Sequence, residues 1–225
     1  MTTSGTVTWN LTADDFIVQA FNRLGKGDIS GSDLRDARIA MNMLLIDLSN
    51  RDVLLWKVDL LALSLDAAGD EYTLPSTVDG VLDGVIMDGD GIEMPTTKLS
   101  LIEFNRIPKK TQTGRPFQYT VERNIDSTSI KFWPVPSSND YTFNYFAVKR
   151  IEDVGSLRDT VDISYRFIPA IIFGLAYQLS FLRPGVDPNY RESLKLAYEE
   201  NLMRARDDYR ERVSWKFKPM LNIPR

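Results

Sequence analysis

GRPFQYTVERNIDSTSIKFWPVPSSNDYTFNYFAVKRIED, residues 114–153, decides the fold class. It reads as three short strands at 117–123, 129–133 and 141–150, separated by turn-forming clusters at 124–128 and 134–140. Aromatic and β-branched residues dominate the strands. The third carries Phe143 and Tyr145 on one face and Phe146 and Val148 on the other, a pattern that predicts cover on both sides. Pro134 and Pro136 cannot donate to a ladder, so the strand ends at Trp133 and a rigid corner follows.

Upstream, period-two runs at 56–65, 72–75, 81–87 and 99–104 predict further strands of the same antiparallel β domain, placed at 53–153. Asp79, Asp83, Gly84 and Asp90 fall at positions 1, 5, 6 and 12 of a calcium-loop pattern. Position 3 is Val81 and the flanks read as strand, so a solvated turn is expected, since Asp and Gly form turns unaided. Lys109, Lys110 and Arg115 make a small basic loop, read as a hairpin tip or subunit contact.

Helical periods flank this domain. Thr12 or Asp14 caps a helix bearing Phe16, Ile17, Ala20, Phe21 and Leu24, stopped by Gly25 and Gly27. Ser32 caps a second, with Leu34, Ala37, Ile39, Met41, Leu44, Leu45 and Leu48 as its stripe. Two helices across a glycine turn also describe a DNA-reading motif. Arg35 and Arg38 face Asp33, Asp36 and Asp47 in the second helix, a charge balance that disfavours it. After residue 153, Pro169 opens a helix that is apolar nearly all round, with Ile168, Ile171, Ile172, Leu175, Ala176, Leu179 and Leu182 as its core face, predicted to be buried between neighbours. Asp187 and Pro188 then start a long helix with Tyr190, Leu194, Ala197, Tyr198, Leu202, Ala205 and Tyr209 on one face. Charge pairs Glu200 with Arg204 and Asp208 with Arg212 lie one turn apart on it.

The expected fold class is therefore α+β. A discontinuous helical bundle domain (1–52 and 154–212) carries the inserted antiparallel β domain (53–153), and 213–225 form an extended C-terminal tail. That tail joins Trp215, Phe217, Met220, Leu221 and Ile223 to Lys216 and Lys218, with Pro219 and Pro224 excluding a continued helix. An apolar tail of this kind is read as docking into another chain.

Composition excludes much chemistry. With 225 residues, 43% of them hydrophobic, the chain can build a real core. It has no Cys and no His, which removes disulfides, thiolate and imidazole nucleophiles, and most zinc and haem sites. Asp and Glu number 31 against 27 Lys and Arg, a net charge of −4, unlike a protein built to grip phosphate backbones. The most apolar segment, 167–182, is shorter than the roughly 20 residues a membrane span needs, and no secretory signal opens the chain.

The succession of the helix pair at 12–24 and 34–48, Tyr72-Thr73-Leu74-Pro75, Gly114-Arg115-Pro116 with Tyr119, Trp133-Pro134-Val135-Pro136, residues 145–153, and Leu175-Ala176-Tyr177-Gln178-Leu179 before a long charged helix resembles the head-to-tail adaptor proteins of short-tailed bacteriophages. The likeness spans nearly the whole chain, except its polar first ten residues. It implies a structural virion protein at the head-tail junction, made in the host cytoplasm, with no enzymatic activity and no cofactor or metal. The implied partners are copies of itself in a ring matching a twelve-fold portal, the portal protein, a tail or nozzle protein, and double-stranded DNA crossing the lumen without specific binding. It also implies that Trp215, Lys216, Phe217, Lys218, Met220, Leu221 and Ile223 reach the portal. Two other readings stay open: a sugar- or receptor-binding β module, signalled by exposed aromatics, and a hydrolase using two carboxylates.

Overall fold

A computed structural model describes residues 9–25, 28–51, 55–125 and 127–209. Thr12 starts helix α1 (Ala13–Arg23) through a capping box: its hydroxyl accepts from the Asp15 amide at 3.4 Å, and the Asp15 carboxylate accepts from the Thr12 amide at 3.0 Å. Phe16, Ile17, Ala20 and Phe21 are buried, as their spacing predicts. Gly25, at φ +70°, turns the chain out of the helix. Helix α2 (Gly31–Arg51) is capped by Ser30 and not by the expected Ser32. Only Ser30 has an acid three residues on, and the Asp33 amide donates to its hydroxyl at 3.3 Å while its own amide donates to Asp33 at 2.8 Å.

The chain forms two compact units, Met1–Ala40 with Ser156–Arg225, and Met41–Gly155. The division falls inside α2, so residues 41–51 count with the sheets.

In the second unit a single 3-10 turn (Leu55–Lys57) leads into β1 (Val58–Ser64), β2 (Glu71–Thr73), β3 (Val78–Met87), β4 (Glu93–Pro95) and β5 (Thr97–Lys98). Helix α3 (Leu101–Asn105) follows, then β6 (Thr113–Gly114), β7 (Gln118–Arg123), β8 (Thr128–Trp133), β9 (Val135–Pro136) and β10 (Thr142–Lys149). One sheet runs β1-β10-β3-β4, a second runs β2-β8-β7-β5, and β6 pairs with β9. The ladders are antiparallel except β5 with β7 and β6 with β9, two short parallel pairings. β8 ends at Trp133 and a cis bond to Pro134 starts the corner, as the prolines require.

The two sheets share one core, in which Phe143 is the hub. Its ring lies 5.1 Å from Tyr119, 5.0 Å from Phe132 and 5.3 Å from Tyr145, centroid to centroid, with Leu65, Leu74, Val78, Val81, Ile86 and Ile130 closing around them. Gly84 lies beneath this ring: a Cβ there would collide with Phe143 and stand 3.0 Å from the Asn144 carbonyl. The chain's entry and exit from the unit are tied together, since Asn42 accepts from the Val154 amide at 2.8 Å and donates to its carbonyl at 3.2 Å.

Residues 99–104 were expected as a strand and form α3 instead. The cause is a second capping box: Ser100 accepts from the Glu103 amide at 3.2 Å, and Glu103 accepts from the Ser100 amide at 2.9 Å. Satisfying these end groups outweighs the apolar content that reads as β.

In the first unit a 3-10 turn (Tyr165–Phe167) leads into α4 (Ile168–Phe181), and Asp187 accepts from the Asn189 amide at 2.9 Å to start α5 (Pro188–Tyr209). Helix α4 packs against α1 and α5. The return segment joins α1, whose first amides, Ala13 and Asp14, each donate at 2.9 Å to the carbonyls of Asp159 and Leu157. Leu194, Tyr198, Leu202 and Ala205 form the buried face of α5. Arginines close the apolar ends. Arg191 donates to the Ser180 hydroxyl and carbonyl at 3.1 Å each and covers the Phe181 ring, while Arg183 pairs with Asp33 at 2.9 Å over Phe21. The expectation that α4 is buried all round fails at its C-terminal end, where Phe181 and Leu182 are exposed.

Candidate assembly surface

The predicted cover on both faces of the third strand is corrected by the structure. In β10 the inward residues Phe143, Tyr145 and Ala147 are buried, whereas Phe146 is 48% exposed. Its cross-strand partner Leu60 is 65% exposed, and Leu82 of β3 is 44% exposed. Val58 pairs with Val148 and Ala62 with Asn144 in the same alternation, so the outward positions of β1 and β10 carry no charge. A contiguous apolar sheet face open to solvent marks an interaction site more than a fold requirement. The sequence period showed that this face is apolar. It could not show that no other layer among the described residues of this unit covers it.

A cationic corner adjoins this face. A cavity of about 460 Å³ is lined by Arg51, Lys98, Arg123, Asp79, Leu82 and Val148 among others. The Arg123 guanidinium lies over Gly80, where a Cβ would come 2.6 Å from its Nη2, and it makes no hydrogen bond or ion pair among the described residues. Lys98 donates to the Val81 carbonyl at 2.6 Å, and partial burial, reinforced by the Arg123 charge, lowers its pKa. The neighbouring Asp79 is engaged by Arg150 at 3.6 Å. Arg51 is engaged by Asp47 at 2.8 Å. This corner was not legible in the sequence, because the side chains that build it are scattered from residue 49 to residue 148.

Two helical stripes are also open. On α5, Leu196 and Met203 are exposed two turns apart, with Glu192, Glu199 and Glu200 on the same side and Arg204 holding Glu200. On α2, Ile39, Met43 and Ile46 are exposed opposite the buried Ala37, Met41, Leu44 and Leu48. The Glu200 pair is the one expected from sequence; Arg212, the partner expected for Asp208, lies outside the described residues. So do the tail residues Trp215, Lys216, Phe217, Lys218, Met220, Leu221 and Ile223.

The carboxylates with defined contacts serve the architecture. Asp88 shows the pattern: it accepts from the amides of Asp90 and Ile92 at 3.2 and 2.9 Å, shaping the turn that ends β3, and Arg115 of the basic loop pairs with it at 3.3 Å. Asp79 and Asp83 lie within β3, so the calcium-like spacing does not form a loop. Among the described residues no group of three or more acids is placed to hold a metal ion. Hydrogen bonds from the cap residues Thr12 and Ser100 hold the pKa values of Asp15 and Glu103 below the ordinary carboxylate range, the opposite of what a general acid needs. Of the aromatics that a sugar platform would use, Phe117 and Phe146 are exposed, but Phe117 precedes β7 of one sheet and Phe146 lies in β10 of the other. Phe117 stands edge-on to Trp133 at 5.2 Å, and the half-buried Trp133 indole donates to the Lys109 carbonyl at 3.0 Å. No helix among the described residues is long and apolar enough to cross a membrane.

No curated protein matches the sequence. Among solved structures, a chain from the neck of an empty GTA particle computed with C6 symmetry is similar at 16% identity, covering 79% of this chain and 81% of that one, with a TM-score of 0.29. A family model described as the SU10 adaptor protein matches residues 11–217. That match takes in the first helix, the sheets and the whole of α5, and the chain belongs to the SU10 adaptor protein family.

Proposed function

We propose that the chain is the repeating subunit of a head-to-tail adaptor, a structural virion protein that joins the portal to the tail or nozzle as a closed ring. The observation that carries this reading is the family match over residues 11–217, which takes in both helical segments and all the strands. The chemistry of the chain supports it. Without Cys or His, and with its shifted carboxylates shifted downward, it is equipped for contact and not for catalysis. Its open apolar faces suit a protein whose surfaces are completed by neighbours.

Double-stranded DNA crosses the ring without being gripped. A net charge of −4 repels phosphates weakly at a distance and disfavours adhesion. The C-terminal residues Trp215 and Phe217 anchor the subunit to the portal, with Lys216 and Lys218 at the rim of the contact. Buried aromatic anchors contribute about 2 kcal/mol or more each, while rim charges act mainly on association rate and salt dependence.

The test is co-sedimentation with purified portal rings. The parent chain binds, the Trp215→Ala/Phe217→Ala double variant is lost, and Lys216→Ala/Lys218→Ala weakens binding mainly at low salt, where the charges it removes are least screened. A parent chain that does not bind portal rings overturns the adaptor reading. A double variant that binds as tightly as the parent moves the anchor elsewhere.

A further inference from the structure

We infer that the ring is closed by a contact between two different faces of the chain: the outer face of β1, β10 and β3, with its Lys98 and Arg123 corner, receives the acid-flanked stripe of α5 from the next copy. The inference rests on the ring reading above. A closed ring of more than two copies needs a heterologous contact, in which each subunit offers two distinct patches. Both patches are open among the described residues, and their chemistry is complementary.

On the receiving side, Leu60, Phe146 and Leu82 form an apolar centre and Val148 links it to the cationic cavity. Arg123 and Lys98 line the same cavity, and the acid among its lining residues, Asp79, is already paired with Arg150. Two cations held together without a free acid beside them call for a carboxylate from outside. On the donating side, Leu196 and Met203 supply the apolar contact, and Glu192, Glu199 and Glu200 lie within one turn of them; Lys195 and Arg204 face Glu192 and Glu200 in exposed pairs of a kind worth about 0–1 kcal/mol, which cations of the next copy can share. The stripe Ile39, Met43 and Ile46 of α2 is a poorer match. The positions one turn from its three residues carry two acids, Asp36 and Asp47, and one base, Arg35, a weaker negative flank than the three glutamates of α5. A DNA phosphate is a poorer match as well, since it would leave the adjoining apolar face uncovered. Apolar centre and charged rim together are the anatomy of a protein contact.

The chain has no cysteine, so introduced thiols are unique reporters. The full chain carrying Leu82→Cys and Leu196→Cys is loaded on portal rings and treated with a short bis-maleimide. The expected result is a ladder of covalent oligomers, with each single-cysteine variant giving none. Covalent dimers from Leu82→Cys alone would mean that like faces meet, and overturn the inference. So would rings that form on the portal but yield no ladder. Arg123→Glu, a charge reversal on an exposed side chain, should lower ring occupancy on the portal about 10-fold or more. If it leaves occupancy unchanged and reduces retention of double-stranded DNA instead, the corner is a phosphate contact and the inference fails. If the parent itself forms no ring on the portal, the adaptor reading fails first, and that outcome is separate from a ring that assembles without the ladder.

Discussion

Phe143→Ala and Phe146→Ala, three residues apart in one strand, separate a one-sided sheet from one covered on both faces. Phe143 is fully buried at the centre of three ring contacts of 5.0 to 5.3 Å, with the Gly84 backbone close beneath its ring. Truncating such a Phe costs about 3–5 kcal/mol, made up of lost transfer energy and the residual cavity. Phe146 is 48% exposed, so about half of its burial is absent already and its loss costs about 1 kcal/mol or less. With a urea slope of about 2 kcal/mol per molar, Phe143→Ala lowers the midpoint by about 2 M and Phe146→Ala by no more than about 0.5 M. Urea unfolding followed by near-ultraviolet circular dichroism, which reports the aromatic cluster, measures both. Equal shifts from the two variants would refute the open outer face. A Phe143 shift below about 0.5 M would refute its place at the centre of the core.

Gly84→Ala should destabilise the β unit by about 1–3 kcal/mol, because the added methyl meets the Phe143 ring and the Asn144 carbonyl, and a melting curve reads this directly. Asp15 and Glu103 have folded pKa values below their ordinary 3.8 and 4.5, so the stability they lend is complete above those values and is lost as pH falls through the lower folded ones. Thr12→Ala/Ser100→Ala, which removes the hydrogen bonds behind both shifts, should therefore lose less stability than the parent between about pH 5 and about pH 3. Asp88→Ala frees two amides and the Arg115 partner at once, and hydrogen exchange at Asp90 and Ile92 should rise while the rest of β3 stays protected.

Local rules written into short stretches were legible before the structure. Thr12, Gly25, the Pro134 corner and the Asp187-Pro188 start each act within a few residues, and the structure places them as read. The misreadings occur where two local signals compete or where the deciding partner is distant. At 99–104 an apolar run competed with Ser100 and Glu103, and the capping box prevailed. At the second helix two serines competed, and the one with an acid three residues on won. The open face of β10 is a different case. Alternation reports that Phe146 and Val148 share a side, but whether that side meets another layer, solvent or another copy is set by the arrangement of β1, β10 and β3. Arg123 and Lys98 gave no local signal because their proximity depends on which strands pair, including the short parallel pairing of β5 with β7.

The size of the open apolar set bears on when the ring forms. Fully burying a large apolar side chain is worth about 1.5–3 kcal/mol, and Leu60, Phe146 and Leu82 are each about half covered already. With Leu196 and Met203 of α5, each about two-thirds exposed, they add about 4–9 kcal/mol to a contact at most, and the carboxylate pairing adds about 1–3 kcal/mol. Association of two proteins costs about 4–15 kcal/mol in lost freedom, so a single contact does not hold two copies together at micromolar concentration. On a portal ring the next copy is already tethered, and an effective concentration of about millimolar converts the same weak contact into a stable one. The free chain should therefore be a soluble monomer at about micromolar concentration and form rings only where the portal gathers it, which native mass spectrometry with and without portal rings would show. A free chain that already runs as a closed ring under those conditions would mean that the contact is several kcal/mol stronger than these surfaces can supply, and that residues beyond the face of β1, β10 and β3 and the stripe of α5 build it.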